Sequence, residues 1–182
     1  NGEEVTGVTI QRMVHDMDAG DIILQRSTPI GETEDAEQLY SRLADMGGEL
    51  VVEAVAQIQA GTASYTPQDH TQATQAPMLS KAMSPVDWTR SAQEVFNQIR
   101  GLYPWPGTST TAITGEPIKL WGAQVVEKHT DAGPGTIVAA GKQGIDVACG
   151  EFNHVLRILE LQPPGKKRMT AAAYLAGNPI QV

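Results

Sequence analysis

Between Val5 and Val14 apolar and polar side chains alternate, with Val8 and Ile10 standing between Thr9 and Gln11. That two-residue period predicts a strand. The polar run His15-Asp16-Met17-Asp18-Ala19-Gly20-Asp21 reads as a tight loop, and Ile22 to Ile30 as a second strand closed by Pro29 and Gly31. The period then lengthens. Leu39, Leu43, Met46, Leu50, Ala54 and Ile58 recur at spacings of three and four, one stripe of a long helix. Thr33 is its expected N-cap, followed by Glu34, Asp35 and Glu37 near the positive helix end, and Gly61 is its expected stop. Gly47-Gly48 falls inside the helix, where glycine costs about 1 kcal/mol relative to alanine, so a bend or a close contact is expected there. From Ala63 to Pro85 no period survives among Thr, Gln, Ala, Ser and Pro, which predicts an extended linker.

Periodicity returns in the second half with a different character. Ser91-x-x-Glu94 forms a capping box, opening a helix with Ala92, Val95, Phe96 and Ile99 on one face, and Tyr103-Pro104-Trp105-Pro106-Gly107 ends it. Five short strands follow: Thr108 to Ile113, Ile118 to Glu127, Thr136 to Ala140, Ile145 to Cys149 and His154 to Gln162. Turn residues separate them, and strands at this spacing suggest a small closed or nearly closed barrel. Thr170 to Ala176 reads as a short helix ended by Gly177.

Charge sharpens the division into two parts. The 182 residues carry a net charge of -8, which argues against a general polyanion binder. Residues 1 to 80 hold 3 basic and 13 acidic groups, or -10, whereas residues 81 to 182 hold 10 basic and 8 acidic groups, or +2. The second half is the one that could face phosphates, the alternative being that a basic excess this small arises by chance. With 41% hydrophobic and 19% charged residues the chain fits a globular protein, and no apolar run is long enough to span a membrane. No signal peptide is legible at Asn1-Gly2-Glu3-Glu4, and the one cysteine, Cys149, suits a reducing compartment, so a cytoplasmic location is expected.

Candidate chemistry in the first half centres on Asp16-x-Asp18-x-x-Asp21. Clustered carboxylates raise electrostatic energy unless a cation, an imidazole or solvent offsets it. Three uses stay open: a cation site, an acid-base or orienting carboxylate in a cleft, or a solvated hairpin turn. The spacing does not fit a calcium loop, which would need Glu where Ser27 stands. His15, His70, His129 and His154 show no zinc spacing, and no metal is expected. In the second half Lys166-Lys167-Arg168, after Pro163-Pro164-Gly165, concentrates cations in one loop, either a phosphate grip or a solvated surface.

Several segments together resemble the later two-thirds of the methionyl-tRNA formyltransferase family. They include Thr6 to Ile10, Met17-Asp18-Ala19-Gly20-Asp21-Ile22-Ile23, Gln68-Asp69, and Ala73 to Lys81. Asp87-Trp88-x-x-Ser91-Ala92, Pro104-Trp105-Pro106-Gly107 and Leu161-Gln162-Pro163-Pro164-Gly165-Lys166-Lys167-x-Met169 continue the match in order. The early segments are also similar to sugar-nucleotide formyltransferases and formyltetrahydrofolate hydrolases, whereas the Gln-Pro-Pro-Gly-Lys-Lys tail favours the tRNA enzyme.

The resemblance implies an α/β part followed by a mainly β part. Residues 1–62 would be the end of a Rossmann-like formyltransferase catalytic domain and residues 63–81 a linker. Residues 82–182 would be an OB-like β-barrel with flanking helices that binds tRNA. The implied activity moves a formyl group from 10-formyltetrahydrofolate, as co-substrate, to the amino group of methionyl initiator tRNA. Asp18 matches the family's catalytic Asp, which orients an imidazole, and Val14, His15, Asp16 and Met17 match the loop lining the folate pocket. Lys81, Lys166 and Lys167 are the implied phosphate contacts, and Met78 stands where a Lys is common. The family's Asn-x-His segment has no counterpart here, so the chain is expected to be a fragment without turnover of its own. Its helix stripe is expected to have lost part of its sheet, exposing apolar surface. No membrane and no protein partner are implied. The alternatives are a self-standing RNA-binding barrel and a sugar-nucleotide formyltransferase relative.

Overall fold

The computed structural model describes residues 2–182, which divide into two compact units, Glu3–Met78 and Leu79–Val182 together with Gly2. In the first unit, β1 (Val5–Gln11) and β2 (Ile22–Pro29) form an antiparallel hairpin. Val8 faces Arg26 and Thr9 faces Gln25, with a register shift at Ile10/Gln11. The strand alternation reads through directly: Thr6, Val8 and Ile10 are half-buried while Val5, Gly7 and Thr9 are exposed.

Helix α1 (Ala36–Ala60) covers this hairpin and runs unbroken through Gly47 and Gly48. Neither glycine is demanded by packing: a Cβ on Gly47 would make ordinary contact with Val8, and one on Gly48 would meet nothing. The N-cap is Asp35, two residues beyond the expected Thr33. Asp35 accepts from the Gln38 amide at 2.9 Å, and the Gln38 side chain accepts from the Asp35 amide at 3.1 Å. Glu34 is taken instead by Arg42, whose guanidinium also donates to the Pro29 carbonyl at 2.8 Å. The helix thus starts where a reciprocal cap is available. Its stripe partly finds cover on the hairpin, with Leu50 and Ala54 buried and Leu39, Leu43 and Met46 half-buried, but Ile58 is exposed. Val51, Val52 and Val55 form a second apolar face that stays open to solvent.

The segment expected to be a featureless linker holds two short 3₁₀ turns, His70–Gln72 and Lys81–Met83. Its start is anchored as well, since Thr66 pairs with Ile22 through two backbone hydrogen bonds of 2.8 and 2.9 Å.

The second unit is a six-stranded antiparallel sheet with two helices. Helix α2 (Ala92–Gly101) begins at the expected capping box, Ser91 with Glu94. Hydrogen bonds from the Ser91 amide and hydroxyl and from the Arg90 guanidinium pull the pKa of the Glu94 carboxyl down to about 2. The strands are β3 (Thr108–Thr110), β4 (Ile118–Glu127), β5 (Ile137–Gly141), β6 (Gly144–Ala148), β7 (His154–Gln162) and β8 (Met169–Thr170), followed by α3 (Ala171–Gly177). Their order is β3-β4-β7-β6-β5, with β8 beside β7. The pairing path is open: among the described residues no ladder joins β3 to β5. A closed barrel is therefore not what the strands form. Strand β3 is three residues long, because the Thr110 side chain accepts from the Ala112 amide at 3.1 Å and turns the chain before Ile113. An end strand that short offers little ladder for closure.

The core follows the two-residue period in β4, whereas β6 is buried at every residue and β7 buries the adjacent Val155 and Leu156. Ile118 and Leu120, Ile145 and Val147, and Val155, Leu156, Ile158 and Leu161 are fully buried, capped by Val95 and Ile99 of α2 and by Ala171 and Tyr174 of α3. Cys149 lies in the same core, and burial pushes its thiol up to about 11.

Candidate functional site

In the first unit the candidate carboxylate sits where the β1–β2 hairpin opens into its loop. The Arg12 amide donates to the Asp21 carbonyl at 2.9 Å and closes the loop base. Asp18 has φ +54°, the left-handed region, among non-glycine residues one of the conformations Asp tolerates best. Its Oδ1 accepts from Gln11 Nε2 at 3.1 Å. Gln68, fifty residues away in sequence, holds this arrangement: its Nε2 lies 2.9 Å from Gln11 Oε1, 2.9 Å from the Asp18 carbonyl and 2.7 Å from the Gly20 carbonyl. The carboxylate is thus presented by a two-glutamine clamp on a backbone fixed at both ends. Neither glutamine was singled out by pattern reasoning. The available signal was Gln68 beside Asp69, whose carboxyl caps the 3₁₀ turn and is held low by hydrogen bonds from the Thr71 and Gln72 side chains and the Thr71 amide.

The other loop residues do not converge with Asp18. Val14 and Met17 are exposed, as is Met13, and the His15 ring lies 3.5 Å from Asp16. Asp16, Asp18 and Asp21 do not gather, and among the described residues no group of three His, Cys, Asp or Glu side chains is placed to hold a metal ion. The loop thus carries three exposed apolar side chains, Met13, Val14 and Met17, and one hydrogen-bonded carboxylate, Asp18.

Gly20 is the residue on which that presentation depends. It is buried, and a Cβ there would lie 1.7 Å from the Arg12 carbonyl oxygen. Backbone cannot yield by that much without opening the loop base. Gly20→Ala should therefore disrupt the loop while leaving the second unit folded. Amide exchange at Arg12 should rise to the level of an unstructured loop, with exchange at Val147 and Leu156 unchanged.

In the second unit, Lys81 is exposed in its 3₁₀ turn, and Lys166 and Lys167 are exposed in the β7–β8 connection. The Lys166 amide donates to the Pro163 carbonyl at 3.1 Å, and Gln162 Nε2 donates to the Lys166 carbonyl at 2.8 Å, so this basic turn is structured. Lys81, Lys166 and Lys167 have no ion-pair partner among the described residues, whereas Arg168 is bound to Glu160. The expected cations are thus available to an anion, and Lys81 lies on a different segment from the other two.

The chain belongs to the formyl transferase family: the family model described as formyl transferase, C-terminal domain, matches residues 78–179, and that described as formyl transferase matches residues 1–55. Among curated relatives, the methionyl-tRNA formyltransferase of Trichlorobacter lovleyi is 41% identical over 99% of this chain and 55% of its own length. That of Bacillus subtilis is 40% identical over 99% of this chain and 56% of its own. The chain thus spans about half the length of the curated relatives it matches. Among solved structures, HypX from Aquifex aeolicus in complex with tetrahydrofolic acid superposes with TM-score 0.67 at 21% identity, covering 96% of this chain and 30% of that one. The N-formyltransferase from Helicobacter canadensis superposes with TM-score 0.65 at 16% identity, covering 86% and 56%. These likenesses show the fold. No helix among the described residues is long and apolar enough to cross a membrane.

Proposed function

We propose that this chain is the later portion of a cytoplasmic methionyl-tRNA formyltransferase, which moves a formyl group from 10-formyltetrahydrofolate to the amino group of methionyl initiator tRNA. In this reading residues 1–62 end the catalytic domain, residues 63–81 link, and residues 82–182 are an OB-like tRNA-binding domain. The observation that carries it is the match at 40–41% identity over 99% of the chain, which runs through both the Asp18 hairpin and the basic turn.

The folate supplies the formyl carbon; the residues of this chain supply position and charge. Val14, His15, Asp16 and Met17 form one wall for the pteridine, through backbone groups and the exposed Met17 and Val14 side chains. Asp18, its Oδ1 held by Gln11, turns its second oxygen to an upstream imidazole, fixes that ring's tautomer and stabilises it when it takes a proton from the attacking amine. The upstream Asn and His of the family stabilise the negative charge that develops on the formyl oxygen. Lys81, Lys166 and Lys167 contact tRNA phosphates, which position the acceptor end without reading sequence.

The test is a chimera in which this chain continues the first part of the Bacillus subtilis relative. It should formylate methionyl initiator tRNA and ignore nucleotide-linked amino sugars, while the 182 residues alone should give no turnover. A chimera that folds and formylates only the amino sugar would transfer the chain to the other branch of the family. For the cations, tRNA binding by the 182-residue chain should weaken with salt at a slope of about -2 to -3 in log-log form, and Lys166→Ala should reduce that slope by about 1. A slope near zero would remove the phosphate assignments.

A further inference from the structure

Alternation along the strands of the second unit puts Leu120 and Leu161 into the core and turns Lys119 and Trp121 of β4 and Glu160 and Gln162 of β7 to the opposite face. On that face the aromatic and cationic groups are assembled rather than scattered. The Arg168 guanidinium lies over two rings, 5.8 Å from the Tyr103 centroid and 5.7 Å from that of Trp121. Lys119 Nζ is 5.5 Å from the Trp121 ring, and Tyr103 meets Trp121 edge-on at 5.7 Å. Trp121 Nε1 donates to Gln162 Oε1 at 3.0 Å, and Gln162 in turn holds the Lys166 carbonyl. The basic turn is therefore locked to the aromatic cluster.

The turn Tyr103–Gly107 is clamped onto the same ring from both ends. Tyr103 packs against it, Gly107 with φ +75° lies where a Cβ would be in ordinary contact with the indole at 3.6 Å, and the Gly107 amide donates to the Leu102 carbonyl at 2.9 Å. At the tip of this rigid turn Trp105 is 54% exposed. Prolines on both sides restrict its backbone. Trp105 is thus a large indole held out to solvent on a turn packed against Trp121, the ring that Lys119 and Arg168 also approach, and it is not part of the core that folds this unit.

We infer that the outer face of β4 and β7 is an RNA contact surface in which Trp105 stacks on the base of an unpaired nucleotide while Lys119, Lys166 and Lys167 hold the flanking phosphates. The charge selects a polyanion, and the exposed ring beside it selects one with accessible base faces, which a duplex interior or a lipid headgroup lacks. Glu160 neutralises Arg168 and fixes it over the rings, so the charge left to hold phosphates is that of Lys119, Lys166 and Lys167. This inference rests on the tRNA reading and adds to it a base-stacking residue that the lysines do not supply.

The experiment measures binding of a fluorescently labelled tRNA transcript to the 182-residue chain and to its Trp105→Ala, Trp105→Phe and Lys166→Ala/Lys167→Ala variants across a salt series. Trp105→Ala should weaken binding by about 5- to 100-fold with the salt slope unchanged, and Trp105→Phe should recover most of it. The double lysine variant should instead flatten the slope. Because Trp105 is exposed, circular dichroism and the unfolding midpoint should not move. Trp105→Ala binding within twofold of the parent would overturn the stacking role, and it would leave the tRNA reading intact if the lysine variant still weakened binding. Equal loss for a blunt duplex and for the same duplex with a single-stranded end would also overturn it. Absence of any RNA binding would overturn it too; formylation by the chimera then decides separately whether the tRNA reading survives.

Discussion

Asp18→Asn in the completed chimera should lower the rate constant for formyl transfer by about 10²- to 10⁴-fold, the usual contribution of a positioned acid-base partner. Asparagine is the informative substitution. It keeps an oxygen that accepts from Gln11, and it tolerates the φ of +54° at this position, so the loop survives while the charge is removed. Alanine would lose the hydrogen bond and strain the backbone at once, mixing two effects. The loss should fall on kcat, with KM for tRNA nearly unchanged, since the cations proposed to bind tRNA belong to the other unit. Equal unfolding midpoints for parent and variant would confirm that chemistry was changed. A rate within threefold of the parent would take Asp18 out of the reaction and leave its clamp a structural feature of the hairpin. Gln68→Ala gives a graded companion: with Gln11 and two loop carbonyls released, the rate should fall by less than in Asp18→Asn, and Gln68→Glu should not rescue it because a carboxylate cannot donate.

The largest stability effect is expected at Asp146 of β6. It is 2% exposed, yet Arg157 donates to it at 2.6 and 3.0 Å and Lys128 at 3.2 Å. Burial by itself pushes this carboxyl up, but the hydrogen bonds and charges of Arg157 and Lys128 together outweigh it and hold the pKa below the ordinary Asp range. Asp146→Ala leaves those cations without their counter-charge at the sheet and should cost about 3 to 5 kcal/mol, read as a fall in the urea midpoint at pH 7. The pH dependence has a definite sign. Because the folded pKa lies below the unfolded value of about 3.9, the stabilisation is complete above pH 4 and is lost as pH falls through the folded pKa. Asp146→Asn should therefore be less stable than the parent at pH 7 and should approach it as the pH is lowered toward 2. A constant difference between the two at every pH would show that shape, and not charge, is what Asp146 contributes.

Most of the local architecture was legible from periodicity. The hairpin, the long helix and strand β4 lie close to where the patterns place them, because each buries one face and that face repeats with the element's own period, while β6, buried throughout, and β7 were placed by their apolar runs and flanking turns. The capping box at Ser91 was readable for the same reason, since both partners lie within three residues. What misled was punctuation. Thr33 carries the right chemistry for a cap, but Asp35 can trade hydrogen bonds with Gln38 while Arg42 draws Glu34 away. The two-residue strand β8 is too short to show a period at all.

Taken alone, the sequence determined the two-part division, with -10 in residues 1–80 against +2 beyond, together with the core faces and the Asp18 and Lys166-Lys167 candidates. The division, the core faces and the Lys166-Lys167 cluster follow from composition and short spacing, which need no partner distant in the chain, whereas spacing left Asp18 one of three carboxylates with three open uses and the family resemblance alone singled it out. Only the folded chain shows that Gln68 reaches back to hold Gln11 and the Asp18 loop, and that Arg168 bridges Tyr103 and Trp121. Each of those joins residues tens of positions apart, and a contact of that range is set by how the packed elements lie against one another rather than by any repeat along the chain.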